Sequence, residues 1–278
     1  MAIKEKIVVN PAYRCAESIV RRVTSGGLPP ESVLIYDGRR NKLAKINCID
    51  GPGDNSAGME VNVKSFRIPP FPNNYIYRFF RPGKARRSYE NALRLIEMGF
   101  RTPVPLGYSE CRRGLRLFGN HGLWITLSNS YYFCEQVPFG NFHYWEFRDD
   151  VEALMTAFAA EIARLHKAGI WFRDFSPGNI LIDRTPEGEY EFYYVDLNRM
   201  DFGVTDESKL MQMFKSITFC DEWVEKLARA YALAAGKDVG STVAKAIEAR
   251  HSFTDRHNVK ERLKRLIGLS RDKQAGKK

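Results

Sequence analysis

The stretch LHKAGIWFRDFSPGN, residues 165–179, contains the polar side chains on which the interpretation of this chain depends. Asp174 is followed five positions later by Asn179, and an apolar segment then leads to a second carboxylate at Asp196. Taken singly, aspartate and asparagine are common turn formers. The spacing of the three, with a strand before the last of them, is much more specific than any one residue.

A helix is predicted immediately before this stretch. Apolar side chains recur at helical spacing over residues 149–167. Asp149, with Glu152 three positions later, is suited to cap the start, and Gly169 suits the left-handed conformation just past the end. The helix therefore delivers the chain to the loop that contains Asp174.

The residues after the loop predict a β-hairpin. Residues 180–182 and 192–195 are apolar, and the turn between them, residues 184–189, contains proline and glycine. Because a hairpin brings its two ends together, the polar residues of the loop are expected to meet Asp196 at the far end of the second strand.

Asp174, Asn179 and Asp196 are the polar set that a magnesium-dependent phosphoryl-transfer site needs. Asp196 would chelate a metal ion that bridges the nucleotide phosphates, and Asn179 would supply a neutral oxygen to a second metal ion. Asp174 would orient the attacking hydroxyl and accept its proton. ATP and Mg²⁺ are therefore the expected cofactors.

The loop resembles the catalytic loop of the protein kinase fold. RDFSPGN is similar to the pattern H-R-D-L-x-x-x-N, with Phe172 in place of the histidine, and Asp196-Leu197-Asn198 is similar to D-F-G. Through its VNVKSF, KARRSYENAL, LHKAGI, SPGNIL and VDLNRM segments, the chain more closely resembles the bacterial lipopolysaccharide kinases of the Kdo kinase/WaaP type over residues 60–205. The resemblance implies an α+β, two-lobed protein-kinase-like fold.

A candidate nucleotide-binding pair lies upstream of the loop. Residues 60–67, EVNVKSFR, predict a strand with Lys64 among apolar neighbours, similar to the V-A-I-K strand. Residues 84–98 predict an amphipathic helix that ends at Gly99. Glu90 on this helix is expected to pair with Lys64, which would bind the α- and β-phosphates. The alternative is a solvated Glu90 that pairs with an arginine at helical spacing.

The segment where a kinase has its glycine-rich phosphate loop is poor in glycine. Strands are predicted at residues 32–36 and 42–48, and the turn between them, residues 37–41, contains Gly38 alone. Gly38 is therefore the candidate phosphate-loop residue. The richer segment at residues 51–58 lies one connection too late and is predicted to be a flexible hairpin turn.

The chain is long enough for two lobes. An N-terminal lobe, residues 1–128, is predicted to contain about five antiparallel strands with one helix. A connection near residues 128–130 then leads to a mainly helical C-terminal lobe, residues 129–278, and ATP would bind between the lobes. Further helices are predicted at residues 210–219, 222–235 and 241–269.

Composition favours a cytosolic protein. The sequence has no apolar run close to the roughly eighteen residues that a membrane span requires, and no signal segment. Its five cysteines lack C-x-x-C spacing, which indicates neither a disulfide framework nor a zinc site. His166 is expected to be a packed, hydrogen-bonded residue rather than a metal ligand.

Charge favours anionic partners. The net charge of +10 suits ATP, a phosphorylated glycolipid or an acidic membrane surface, and nucleic acid is not expected as a partner. Basic and aromatic residues are densest at residues 75–89, which are a candidate contact with the cytosolic surface of the inner membrane. The alternative for this segment is a solvated connection and helix face. The last ten residues are predicted to be a disordered tail.

These observations predict an ATP-dependent kinase that transfers the γ-phosphate to a sugar hydroxyl in the Kdo/lipid A or inner-core region of lipopolysaccharide. The acceptor follows from the resemblance alone. The enzyme alternatives are an atypical Ser/Thr protein kinase and a kinase of another small alcohol. The non-enzyme alternative is a nucleotide-binding pseudokinase scaffold, which the poor glycine loop favours and the intact Asp174, Asn179 and Asp196 oppose.

Overall fold

The computed structural model describes residues 2–38, 41–47, 59–67, 82–118, 121–218 and 220–266. The predicted turn at residues 51–58, the first part of the basic and aromatic segment and the C-terminal tail lie outside these residues. The chain divides into two compact units. The first comprises Met1–Gly140 and Tyr193–Arg199, and the second comprises Asn141–Phe192 and Met200–Lys278.

The first unit is built on a six-stranded sheet with the spatial order β1-β5-β6-β4-β3-β2. Its strands are β1 (Ala2–Val9), β2 (Val33–Asp37), β3 (Asn41–Asn47), β4 (Glu60–Phe66), β5 (Pro105–Phe118) and β6 (His121–Glu135). All neighbouring pairs are antiparallel. The unit also contains the helices α1 (Ala16–Gly26) and α2 (Lys84–Glu97). The sequence predicted β2, β3, β4 and α2 to within two residues but not α1.

The sheet packs a different helix on each face. Val63 of β4 belongs to a buried cluster with Val20 of α1, whereas Phe66 of the same strand packs with Tyr89 of α2. Side chains of a strand alternate between the two faces of its sheet. Lys64, two residues before Phe66, therefore shares the face on which α2 lies.

The second unit is mainly helical. Its helices are α3 (Val151–Lys167), α4 (Glu207–Met211), α5 (Asp221–Ala235) and α6 (Val239–Leu266), with 3₁₀ turns at Trp145–Phe147, Pro177–Asn179 and Gln212–Ser216. The strands β7 (Gly140–Asn141), β9 (Ile180–Arg184) and β10 (Tyr190–Tyr194) form a sheet in the order β10-β9-β7, and β8 (Trp171–Phe172) pairs with β11 (Met200–Asp201). None of the helices in the described residues contains a stretch long and apolar enough to cross a membrane.

An aromatic cluster forms the core around the β9–β10 hairpin. The ring centroid of Phe158 on α3 lies 4.4 Å from that of Phe142, 5.1 Å from that of Phe192 and 5.7 Å from that of Phe175. Phe192 belongs to β10, and Phe175 lies in the loop after β8. The cluster therefore packs α3, the β9–β10 hairpin and the loop after β8 against one another. The sequence predicted these three elements in the order helix, loop and hairpin.

The start of α3 differs from the prediction. The helix begins at Val151, and the N-cap position is occupied by Asp150, whose side chain forms no capping hydrogen bond. Its carboxylate instead accepts hydrogen bonds from Arg148, Arg184 and Tyr190, and the first of these bonds holds its pKa well below the usual range. The cap predicted at Asp149 is wrong because the helix begins two residues later, which places Asp150 at the N-cap position.

The connection predicted near residues 128–130 lies inside β6. Ser130 pairs with Glu110 of β5, and Tyr131 pairs with Ser65 of β4. Serine and asparagine favour turns locally, but pairing on both sides keeps this segment extended. The compact first unit consequently continues to Gly140.

Candidate active site

The loop that carries Asp174 lies between β8 and β9 in the second unit. Phe172, before it, is fully buried and pairs with Met200 of β11. Phe175, after it, is also buried, and its carbonyl oxygen accepts a hydrogen bond of 2.9 Å from the Ser216 hydroxyl. The partly exposed Asp174 is thus held between two buried aromatic residues.

The side chain of Asn179 is oriented by the same loop. Its Nδ2 donates a hydrogen bond of 2.8 Å to the carbonyl oxygen of Asp174. A carbonyl oxygen can only accept, so the amide nitrogen must face it and Oδ1 must face away. A neutral amide oxygen is a ligand that suits Mg²⁺. The loop therefore fits the metal-binding role predicted for Asn179.

Lys64 and Asp196 form an ion pair in the first unit. Lys64 Nζ lies 2.7 Å from Asp196 Oδ1, and the two side chains are 12% and 26% exposed. Nζ also lies 5.6 Å from the centroid of the Phe66 ring, on the α2 face of the sheet. Burying an ammonium group is costly unless it is paired. Asp196 therefore supplies the negative charge that this environment requires.

The predicted ion pair between Lys64 and Glu90 is not the one that forms. Glu90 accepts a hydrogen bond of 2.7 Å from Arg86 Nε, and the side chains of Arg86 and Glu90 are 40% and 46% exposed. This hydrogen bond raises the pKa of Arg86. Tyr89 is buried against the sheet, and the next residue of a helix is rotated by about 100°. Glu90 consequently faces away from Lys64, as in the alternative with a solvated arginine pair.

Helix α2 contacts the segment after Asp196 through two side chains for which the sequence analysis did not predict this contact. Asn91 Nδ2 donates a hydrogen bond of 2.7 Å to the carbonyl oxygen of Leu197. Arg87 donates one of 2.5 Å to the carbonyl oxygen of Asn198. The available indication was their spacing of four residues, which places both on one flank of the apolar stripe.

Asp196 has an unusual backbone conformation. Its φ of 61° lies in the left-handed region, which costs energy for a residue other than glycine. The Asn198 side chain donates a hydrogen bond of 2.6 Å to Asp196 Oδ1. On the N-terminal side of Asp196, the carbonyl oxygen of Tyr194 accepts a hydrogen bond of 2.8 Å from the Thr102 hydroxyl. Contacts on both sides therefore maintain this conformation.

Gly38 lies in the turn between β2 and β3. A Cβ atom at this position would lie 2.3 Å from the ring of Tyr36. The preceding residue, Asp37, forms a 2.9 Å ion pair with Lys42, whose hydrogen bond lowers the pKa of Asp37. An ion-paired carboxylate at the end of β2 thus lies next to the glycine in sequence. Phosphate binding by Gly38 stays a prediction.

His166 is buried near the end of α3. Its Nδ1 lies 2.8 Å from the hydroxyl oxygen of Tyr231 on α5, and burial lowers its pKa to about 4. The prediction of a packed, hydrogen-bonded histidine is confirmed. The predicted site residues divide between the units: Lys64 and Asp196 lie in the first, and Asp174 and Asn179 in the second. Their convergence stays a prediction.

Comparison with solved structures identifies the fold. A structure of WaaP in complex with acyl carrier protein matches over 90% of this chain and 97% of its own, with a TM-score of 0.53 and 15% sequence identity. Two structures of the Rio2 kinase from Chaetomium thermophilum, one with ADP, Mg²⁺ and phosphoaspartate, match over 86% of this chain and 75% and 76% of their own. Their TM-scores of 0.43 and 0.44, at 14% and 15% identity, support no conclusion.

No protein-family model matches the sequence, and no curated protein sequence does. The structural match at this level of identity shows the fold alone. The chain is therefore α+β with a protein-kinase-like fold, an antiparallel sheet in the N-terminal part and a helical C-terminal part, as the sequence predicted.

Proposed function

We propose that this protein is a kinase that transfers the γ-phosphate of ATP to a sugar hydroxyl. The observation that carries the proposal is the ion pair of Lys64 and Asp196. These residues were assigned to phosphate and metal binding from separate sequence motifs, and they lie 2.7 Å apart although they are distant in the sequence. A kinase site requires this proximity, because the lysine and the metal both act on the same phosphates.

The first unit would bind the nucleotide. Lys64 would leave the Asp196 carboxylate and bind phosphate oxygens. Because the Lys64 side chain is only 12% exposed, its attraction to the phosphate charge is screened less than it would be in water. Asp196 then becomes available as a metal ligand. Mg²⁺, when bound, neutralises the charge of the phosphates during transfer. Glu90, which bonds Arg86, has no assigned role in this step.

The second unit would provide the acceptor chemistry. Asp174 orients the acceptor hydroxyl and takes its proton as the oxygen forms a bond to the γ-phosphorus, while the bond from that phosphorus to ADP breaks. Asn179 keeps its amide nitrogen on the Asp174 carbonyl, which leaves Oδ1 for a metal ion. A metal ligand and the base are thereby held by one short loop.

The acceptor we propose lies in the Kdo/lipid A or inner-core region of lipopolysaccharide. The proposal rests on the sequence resemblance, and the net charge of +10 is compatible with a phosphorylated glycolipid and an anionic membrane surface. On the same basis we place the protein in the cytoplasm, with peripheral contact to the inner membrane.

A nucleotide-binding pseudokinase is the second candidate. Two observations favour it: Glu90 pairs with Arg86 rather than Lys64, and Asp37 places a carboxylate next to the turn that would hold phosphates. Both would weaken nucleotide positioning without preventing binding.

A transfer assay separates the candidates. The purified protein is incubated with Mg²⁺, γ-labelled ATP and one of three acceptors: a Kdo-lipid A precursor, a core oligosaccharide or a generic protein substrate. Label in the glycolipid or the oligosaccharide is expected. Label in protein alone would instead support an atypical protein kinase. Absence of transfer to all three, with ATP binding retained, would support the pseudokinase.

A further inference from the structure

Helix α2 makes its polar contacts with the segment after Asp196 rather than with Lys64. Asn91 and Arg87 donate to the carbonyl oxygens of two consecutive residues, Leu197 and Asn198, at 2.7 and 2.5 Å. A spacing of four residues places both donors on the same side of the helix. Two adjacent turns of α2 therefore hold two adjacent peptide groups.

This backbone attachment determines where the Asp196 carboxylate lies. Asp196 has a φ of 61°, and the Asn198 amide donates a hydrogen bond of 2.6 Å back to Asp196 Oδ1. Arg87 donates a hydrogen bond to the backbone carbonyl of Asn198 and so fixes the backbone of that residue. The side-chain amide of Asn198 is therefore also held in place by α2. The carboxylate is thus oriented through a chain of contacts that begins on the helix.

We propose that Asn91 and Arg87 are positioning residues that keep Asp196 ready to bind a metal ion. The inference rests on the proposed kinase function. It gives α2 a positioning role toward Asp196, in place of the role toward Lys64 that was predicted for Glu90. If Asp196 held a metal ion instead of pairing with Lys64, the segment would lose its side-chain ion pair. The bonds from α2 to the backbone are then the contacts that keep the carboxylate in place.

Asn91→Asp tests this role with almost no change in shape. A carboxylate cannot donate, so it faces the Leu197 carbonyl as a second acceptor. Asn91→Ala removes the donor without adding charge, so agreement between the two variants excludes a simple charge effect. The matched control is Glu90→Gln, which changes the neighbouring residue on the exposed side of the same helix.

ATP binding is measured by calorimetry over a series of Mg²⁺ concentrations, and with EDTA. Both Asn91 variants should raise the Mg²⁺ concentration needed for half-maximal ATP binding by about two- to tenfold, which corresponds to the loss of one hydrogen bond. Affinity for metal-free ATP should stay unchanged. Glu90→Gln should behave as the wild type does in both conditions. This difference between the two conditions is not expected from a loss of general stability.

An unchanged Mg²⁺ requirement in both Asn91 variants, or an equal loss of affinity with and without metal, would overturn the inference. If the Asn91 variants fail to fold, Arg87→Met is measured in the same way. If the wild type binds no ATP, the proposed function fails. Amide hydrogen exchange at residues 197–199 then tests the attachment: faster exchange only in the Asn91 variants supports it, and unchanged exchange overturns it.

Discussion

Asp174 is the residue whose substitution should separate chemistry from nucleotide binding. Asp174→Asn retains the backbone carbonyl that holds the Asn179 amide, so the loop geometry should persist. The variant loses the group proposed to accept the hydroxyl proton. Phosphoryl transfer should fall by about a hundred- to ten-thousandfold, while calorimetry should show nearly unchanged affinity for Mg²⁺-ATP.

Asp183→Asn, which changes a carboxylate of β9 in the same unit, is the control and should retain activity. The decisive measurement is complementation of a strain that lacks the native kinase, scored by mass spectrometry of its lipopolysaccharide phosphate. Full restoration of that phosphate by the Asp174→Asn protein would refute the proposed mechanism.

The sequence predicted arrangements set by local spacing better than the directions in which side chains point. Asp174 and Asn179 lie in one short loop, and their hydrogen-bonded arrangement agrees with the motif. Glu90 adjoins the buried Tyr89 in sequence, but the rotation of the helix directs it to solvent. Asn91 was missed because its partner, the carbonyl of Leu197, is a backbone group that no side-chain motif records.

At the level of elements, the sequence analysis predicted the type of those next to the motifs and missed α1. The helix α3 and the hairpin β9–β10 adjoin the loop that contains Asp174, and both form. The helix α1 is short, 11 residues, although Val20 and Val23 belong to an apolar face at helical spacing, and it is stabilised by packing against the sheet. That packing depends on strands far away in the sequence, which a local pattern does not contain.

The contact between α3 and α5 should make stability depend on pH. His166 has an ordinary pKa near 6.5 that is lowered to about 4, first by burial and then by Lys237, while Glu207 acts in the opposite direction. Between these values the unfolded chain binds more protons than the folded protein. The free energy of unfolding should therefore fall as pH falls from 6.5 towards 4, by up to roughly 3 kcal/mol.

Urea unfolding across this pH range measures the effect. His166→Gln does not titrate and can still form a hydrogen bond with the Tyr231 hydroxyl, so it should flatten the pH dependence. His143→Gln changes an exposed histidine of the same unit and should retain the wild-type slope. An equally steep slope in the His166 variant would show that other groups cause the dependence.

For the whole molecule, the resemblance of the loop and strand motifs implied the fold class, and the hydrophobic period along the chain is consistent with it. Alternation of period two dominates the early strands, and helical spacing dominates the later segments. The position of Tyr193–Arg199 in the first unit was not predicted, because it follows the hairpin of the second unit. Its attachment depends on long-range contacts, such as the hydrogen bond of 3.1 Å from the Tyr194 amide to the Arg101 carbonyl.

Binding of ATP should stabilise the folded protein as a whole, and Mg²⁺ should increase the effect. A ligand that binds only the folded state raises the free energy of unfolding by about 2.7 kcal/mol at a hundred times its dissociation constant. The increase should be smaller when ATP is added with EDTA, because Asp196 and Asn179 are proposed to act through metal ions. Thermal and urea unfolding with ATP and Mg²⁺, ATP and EDTA, and Mg²⁺ alone measure the difference.

Asp196→Asn provides the internal comparison for this measurement. The amide keeps the shape of the side chain but removes the charge that would hold the metal ion. It also leaves Lys64 without its ion-pair partner, so the variant should be less stable than the wild type before ligand is added. The added stabilisation by Mg²⁺ over EDTA should largely disappear in this variant, whereas Glu90→Gln should retain it. If no nucleotide with any divalent metal stabilises the wild type, both the kinase and the nucleotide-binding pseudokinase are excluded.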